Sequence, residues 1–257
     1  MLTSSRGPWA ASMAVFLVMA SFGASQPASA QDETDESSPV TVTGSVAVVS
    51  DYRFRGVSLS GGDPALQGGA TITHESGFYV GTWGSSIDDG GTDSYGDLEL
   101  DLFGGWSGNV AEGVGIDIGL LYYAYPTNAA GVDAEYFEPY ATVTGTLGPV
   151  QAKVGVAYAW EQDSLGGNDN LYLFTKLSAG IPNTPITLNA GLGYTDGALA
   201  PPLLAGTLDD TGLDWTVGAS ATVLGNVTIG VAYTGVEGPS IEGFTDDAVV
   251  GSLTFTF

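Results

Sequence analysis

The feature that most constrains this chain is a period of two. From Val40 onward, Val40, Val42, Val46, Val48, Tyr52 and Phe54 share one parity, while Thr41, Thr43, Ser45, Asp51, Arg53 and Arg55 share the other. Successive side chains of a strand point to opposite faces, so the pattern is a strand with one greasy and one polar face, not a helix. Similar segments follow at 65–75, 78–87, 97–107, 114–125, 135–147, 150–160, 170–181, 186–195, 215–224, 227–235 and 248–257. Each is close to the 9–11 residues that cross a bilayer as a tilted strand.

The connections alternate in length. Turns near Ser76-Gly77, Gly108 to Gly113, Gly148-Pro149, Pro182 to Pro185 and Gly225-Asn226 are tight. Those at 56–64, 88–96, 126–134, 161–169, 196–214 and 236–247 are longer, polar and rich in Gly and Asp. A soluble sandwich has no reason to keep long loops at every second connection, whereas an outer-membrane barrel has short periplasmic turns and longer external loops. The expected fold class is therefore all-β: a transmembrane antiparallel up-and-down barrel of about twelve strands, with ten or fourteen as alternatives. An even count places both ends of the barrel on the periplasmic side.

Aromatics fit the same reading. Tyr52, Phe54, Tyr122, Tyr158, Trp160, Tyr194, Trp215 and Tyr233 fall at external strand ends on the apolar parity, and Phe78, Trp106, Phe255 and Phe257 at the opposite ends. Such two-ended placement is expected of interfacial girdles. The alternation that ends in Phe257 has the form of the C-terminal signal read by the barrel insertion machinery.

Before the barrel, Met1 to Ala30 reads as a secretory leader: Arg6, an apolar stretch from Trp9 to Ala24, and Ala28-Ser29-Ala30 as the small-x-small cleavage pattern. The apolar run is short of the ~20 residues a spanning helix needs. Gln31 to Pro39, within the segment 31–39, reads as an acidic disordered tail. The barrel is expected over 40–257.

Charge narrows the function. With 29 acidic residues against 5 Lys/Arg, the net charge is −24. That excludes nucleic acid as a partner, because phosphate contacts need a basic stripe. There is no Cys, so thiol nucleophiles, disulfides and Cys-zinc sites are absent. Glycine, at 39 residues, disfavours a helical bundle and suits turns and close strand approach.

Residues 50–86 add a family resemblance. Ser50-Asp51-Tyr52-Arg53-Phe54-Arg55-Gly56, Pro64-Ala65-Leu66-Gln67-Gly68-Gly69, His74-Glu75-Ser76-Gly77-Phe78-Tyr79, Gly81-Thr82-Trp83-Gly84-Ser85 and Leu98 to Trp106 are similar to the N-terminal region of the TorF family, a group described as porin-like. What the resemblance implies is an outer-membrane barrel with a channel function. It carries no catalytic or substrate residue across.

Opposite the apolar parity lie the candidate pore-lining residues: Asp51, Arg53, Arg55, Glu99, Asp101, Asp117, Glu138, Lys153 and Lys176, with Glu75 at a strand end. After the leader these are all the cations, and facing lipid would cost each about 2–4 kcal/mol at the midplane. Two roles are expected of this set. One is a mixed-charge constriction; the other is ion pairing of Arg53 and Arg55 with Glu99 and Asp101 that fills a narrow interior. The long connections carry acids and no cation, so a conducting barrel should prefer cations.

The loop Asp88 to Asp97 is oxygen-rich but lacks the order of a calcium loop, so no metal or other cofactor is expected. Nor is an enzyme, since the single His74 falls on the lipid-facing parity at a strand end. The expected function is passive diffusion of ions or small hydrophilic solutes through a porin-like channel. A non-conducting barrel with a structural or surface role is the alternative. Expected partners are outer-membrane lipid, lipopolysaccharide and the insertion machinery; the chain could be monomeric or a homo-oligomer.

Overall fold

The computed structural model describes residues 38–88 and 95–257. The leader, the tail up to residue 37 and the centre of the Asp88–Asp97 loop lie outside them.

Among the described residues fourteen strands form: β1 (Val40–Val49), β2 (Arg53–Phe54), β3 (Val57–Ser58), β4 (Ala65–His74), β5 (Phe78–Ser86), β6 (Leu98–Ala111), β7 (Val114–Ala124), β8 (Tyr136–Leu147), β9 (Val150–Gln162), β10 (Asn168–Gly180), β11 (Ile186–Gly197), β12 (Thr211–Val223), β13 (Val227–Val236) and β14 (Ala248–Thr256). All but β2 and β3 join one closed barrel, in which β1 pairs with both β4 and β14. Every ladder is antiparallel. The barrel therefore has twelve strands, and closure leaves no free edge.

Alternation decides which face each residue occupies. Val42, Leu66, Val80, Leu102, Ile118, Val143, Val154, Leu188, Val217, Val231 and Leu253 are exposed on the outer face. Between them, small and polar residues point inward. At the seam β1 meets β14 only over Ser45 to Val49, whereas it meets β4 along its whole length. Phe257 extends the seam by exchanging two backbone hydrogen bonds with Gly44, at 2.8 and 2.9 Å.

Several boundaries differ from expectation, and β6 runs to Ala111, into the expected turn at Gly108 to Gly113. The first strand stops at Val49 rather than continuing through Arg55, because the chain turns into the barrel there. β12 begins at Thr211, before the expected 215. The expected long loop at 161–169 is shorter: β9 runs to Gln162, β10 starts at Asn168, and a 3-10 turn at Asp163–Leu165 lies between them.

Candidate functional site inside the barrel

The first connection carries the chain's distinctive chemistry. Residues 51–60 fold into the lumen instead of projecting outward, every residue from Asp51 to Ser58 is buried, and Gly61 to Pro64 are exposed on the way to β4. Within this plug β2 and β3 make a minimal hairpin, Arg53 opposite Ser58 and Phe54 opposite Val57. Its tip is Arg55-Gly56, with φ of 49° and 81°. Positive φ at both central residues is the two-residue turn whose twist matches a hairpin, and glycine is favoured at its second place. Gly56 is needed for space too, since a side chain there would strike Val236. Arg55 holds a left-handed conformation that costs a non-glycine residue about 1–2 kcal/mol, so its partners must offset that strain.

Those partners are well formed. Arg55 Nη2 donates to both carboxylate oxygens of Glu138 on β8, at 2.6 and 2.7 Å, with both side chains almost fully buried. The guanidinium lies over the Phe54 ring at 4.7 Å and over the Tyr172 ring at 4.2 Å. Tyr123 donates to the same Glu138 at 3.2 Å. Arg53 is clamped between Asp51, at 2.5 Å, and Asp246 of the last long connection, at 3.1 Å. It also donates to the carbonyls of Gly56, Phe244 and Asp246. Ser58 Oγ and Ser60 Oγ donate to the other oxygen of Asp51, and Ser58 N donates to the Phe244 carbonyl at 2.8 Å.

Around the plug the interior is a packed aromatic core rather than a polar channel. Val49, Tyr52, Phe54, Tyr79, Phe103, Leu121, Tyr123, Tyr125, Tyr136 and Leu165 form one buried cluster, joined by Leu199 from the connection between β11 and β12. Tyr123 and Tyr136 stack at 4.4 Å, and Tyr52 packs on Trp83 at 5.5 Å. Burial, then the nearby carboxylates of Glu99 and Asp101, push the Tyr52 phenol above the ordinary tyrosine value.

Two expectations need correcting here. Tyr52 and Phe54 belong to the plug inside the barrel, not to an outer aromatic girdle; the girdle positions Tyr158, Trp160, Tyr194, Tyr233, Phe78, Phe255 and Phe257 do lie on the outer face. Glu75 is exposed in the turn after β4, not inward.

The predicted ion pairs also form differently. Arg53 takes Asp51 and Asp246, Arg55 takes Glu138, and Glu99 and Asp101 pair with neither. Both of these carboxylates are fully buried at the loop end of β6, and none of their four oxygens makes a hydrogen bond. Among the described residues no group of three or more His, Asp or Glu side chains forms a metal cluster.

Below the plug, toward the short turns, the lining changes. Lys153 on β9 stands directly opposite Lys176 on β10, both half-buried. Asp117 accepts from Tyr79 at 2.6 Å, and Tyr79 and Tyr140 share a hydrogen bond. Asp214, read from the sequence as an acid of the long connection at 196–214, instead lies within β12, is buried and accepts from Tyr172 at 3.3 Å. The inward rings were missed as well. A signal existed in Leu120-Leu121-Tyr122-Tyr123-Ala124-Tyr125, where both parities are apolar, as expected of a strand end buried on both faces.

The comparisons follow from this architecture. A family model for a bacterial protein of unknown function, Gcw_chp, matches residues 33–256. The chain belongs to the Gcw_chp family. No curated protein matches it. Among solved structures it is similar to the NanC porin, with a TM-score of 0.56 and 8% identity over 84% of this chain and 99% of that one. It is also similar to the KdgM porin, with a TM-score of 0.54 and 8% identity over 84% of this chain and 98% of that one. At such identity the likeness is one of fold: this Gcw_chp member is a closed β-barrel with the architecture of those porins.

Proposed function

We propose that the protein is a Gram-negative outer-membrane channel for ions or small hydrophilic solutes, cation-preferring, and closed in the described conformation by its own first connection. The observation that carries this reading is the plug itself. A single connection, held by side-chain and loop contacts, fills the external half of a lumen whose other half is lined by polar groups, most of them buried and Lys153 and Lys176 half-buried. Displacing residues 50–64 would leave the barrel ladder intact. The resemblance of 50–86 to the TorF family supports the same reading.

Cation preference rests on charge. Asp51, Glu99, Asp101, Asp117, Glu138 and Asp214 outnumber Arg53, Arg55, Lys153 and Lys176 inside, and the external connections add acids. A lumen and mouth of one dominant sign concentrate the opposite ion, within a Debye length of ~8 Å in physiological salt. An enzymatic role has little support, since His74 lies exposed at the end of β4 on the outer face and hydrogen-bonds only to its neighbour Ser76. Lipid and lipopolysaccharide would surround the outer face, and Phe257, beside the seam, is suited to recognition by the insertion machinery.

One observation favours a second reading. Arg53, Arg55, Glu99 and Asp101 are all 0–4% exposed, so no water path passes them, as a non-conducting barrel with a structural role would require. Planar-bilayer recordings separate the two. The intact chain should conduct little or in rare openings, and removal of residues 51–63 should give steady channels whose reversal potential in a KCl gradient has the cation sign. A folded deletion variant that passes no current establishes the non-conducting reading, and an anion sign overturns the preference.

A further inference from the structure

We propose that Glu99, Asp101 and the Tyr52 hydroxyl form a buried site for a divalent cation, Ca²⁺ in chemistry, that fastens the plug to the barrel wall. The inference does not depend on conduction.

Three observations carry it. Glu99 and Asp101 are both 0% exposed, yet all four of their oxygens lack a hydrogen-bond partner. Of the two arginines that could neutralise them, Arg53 pairs with Asp51 and Asp246 and Arg55 with Glu138 through Nη2, its Nε and Nη1 making no hydrogen bond. From a different element the Tyr52 side chain, 1% exposed, brings its hydroxyl beside the Glu99 carboxylate, where it meets no hydrogen-bond partner in regular geometry.

An uncompensated carboxylate taken out of water costs several kcal/mol, so a pair without partners needs a counter-charge. Protonation would remove the charge, yet it leaves most of these oxygens without a bonding partner. A hard cation answers both needs together. Residues two apart on a strand lie about 6.6–6.8 Å apart on one face, a separation that lets two carboxylates bracket an ion bound at 2.3–2.6 Å. Used bidentately they supply four oxygens and the phenol a fifth, with water or carbonyls completing the 6–8 that Ca²⁺ takes. Mg²⁺ fits less well, because it gives up its water reluctantly and demands a strict octahedron.

The site joins two parts of the fold. Glu99 and Asp101 belong to the wall and Tyr52 to the plug, so the ion would hold the first connection in place.

The test uses the full barrel, folded in detergent and stripped with a chelator, with Ca²⁺ alone and Tb³⁺ alone as probes. Ca²⁺ should raise the melting temperature, and Tb³⁺ should give tyrosine-sensitised emission that Ca²⁺ displaces. Both effects should vanish in the double variant E99Q/D101N. Stripped of metal, that variant should melt no lower than the stripped parent, because its uncompensated charges are gone. Y52F, which keeps both carboxylates, should weaken Ca²⁺ by about 10-fold, and serves if the double variant does not fold. D209N/D210N, in an external connection, should change nothing. Equal responses of parent and E99Q/D101N would assign the binding to the loops and overturn the proposal, as would no response in the parent, which would leave the carboxyls neutralised by protons.

Discussion

Arg55 at the tip of the plug places one nitrogen between both carboxylate oxygens of Glu138 on the opposite wall. Breaking such a buried pair from one side strands the other charge and costs about 3–5 kcal/mol. Arg55→Ala should therefore favour release of the plug over loss of the barrel, whose ladders it does not touch. The expected result is a higher open probability in planar bilayers with an unchanged strand signature in circular dichroism. Arg55→Lys should restore little, because an ammonium cannot offer the planar group that lies over Tyr172.

The plug is also held from above by the last long connection, where Ser58 N meets the Phe244 carbonyl at 2.8 Å. A backbone hydrogen bond brings the two residues close enough for the pair to be tried as a disulfide. The chain has no Cys of its own, so Ser58→Cys with Phe244→Cys gives an unambiguous lock. Oxidation should abolish current and reductant should restore it. Equal currents in the two states would count against a moving plug.

Parity makes a prediction for the wall. Val217, in the middle of β12, is exposed on the outer face, while Thr216 beside it points inward. Val217→Arg should destabilise the barrel by about 2–4 kcal/mol in urea unfolding from lipid vesicles. Thr216→Arg should cost much less, the difference reporting which face meets lipid.

Glycine supplies the last. On β10 the ring of Phe174 lies opposite Gly155 of one neighbouring strand and Gly193 of the other, and a side chain at 155 would enter that ring. Gly155→Val should cost about 1–3 kcal/mol by overpacking. Adding Phe174→Ala should recover much of it, a coupling that a double-mutant cycle measures.

Fold and site were unequally legible in the sequence, for physical reasons. Periodicity is local, so each of the twelve wall strands could be read from its own residues, and the outward parity of Val217 or Leu188 follows directly. The course of 50–64 is not local. Tyr52 and Phe54 continue the parity of Val46 and Val48, and only the turn at Asp51, fixed by Ser58, Ser60 and distant Asp246, takes them inside. The arginines were legible as inward because lipid excludes charge, but their partners were not. Glu138 and Asp246 lie far along the chain from Arg55 and Arg53, and strand alternation carries no information on which residues face one another across a lumen. The glycine excess was read as turns and twist, and part of it instead makes room for inward rings.

The short ladder between β1 and β14 has a consequence for how the molecule assembles. Every other neighbouring pair of wall strands is joined by a single connection, whereas Ser45 must find Thr256 roughly two hundred residues away, and such remote contacts form slowly. The plug follows β1 directly, so it belongs to the edge that must wait. Refolding in which burial of the plug aromatics is timed against closure would reveal whether the plug is threaded into an open sheet or swallowed as the last strand zips shut.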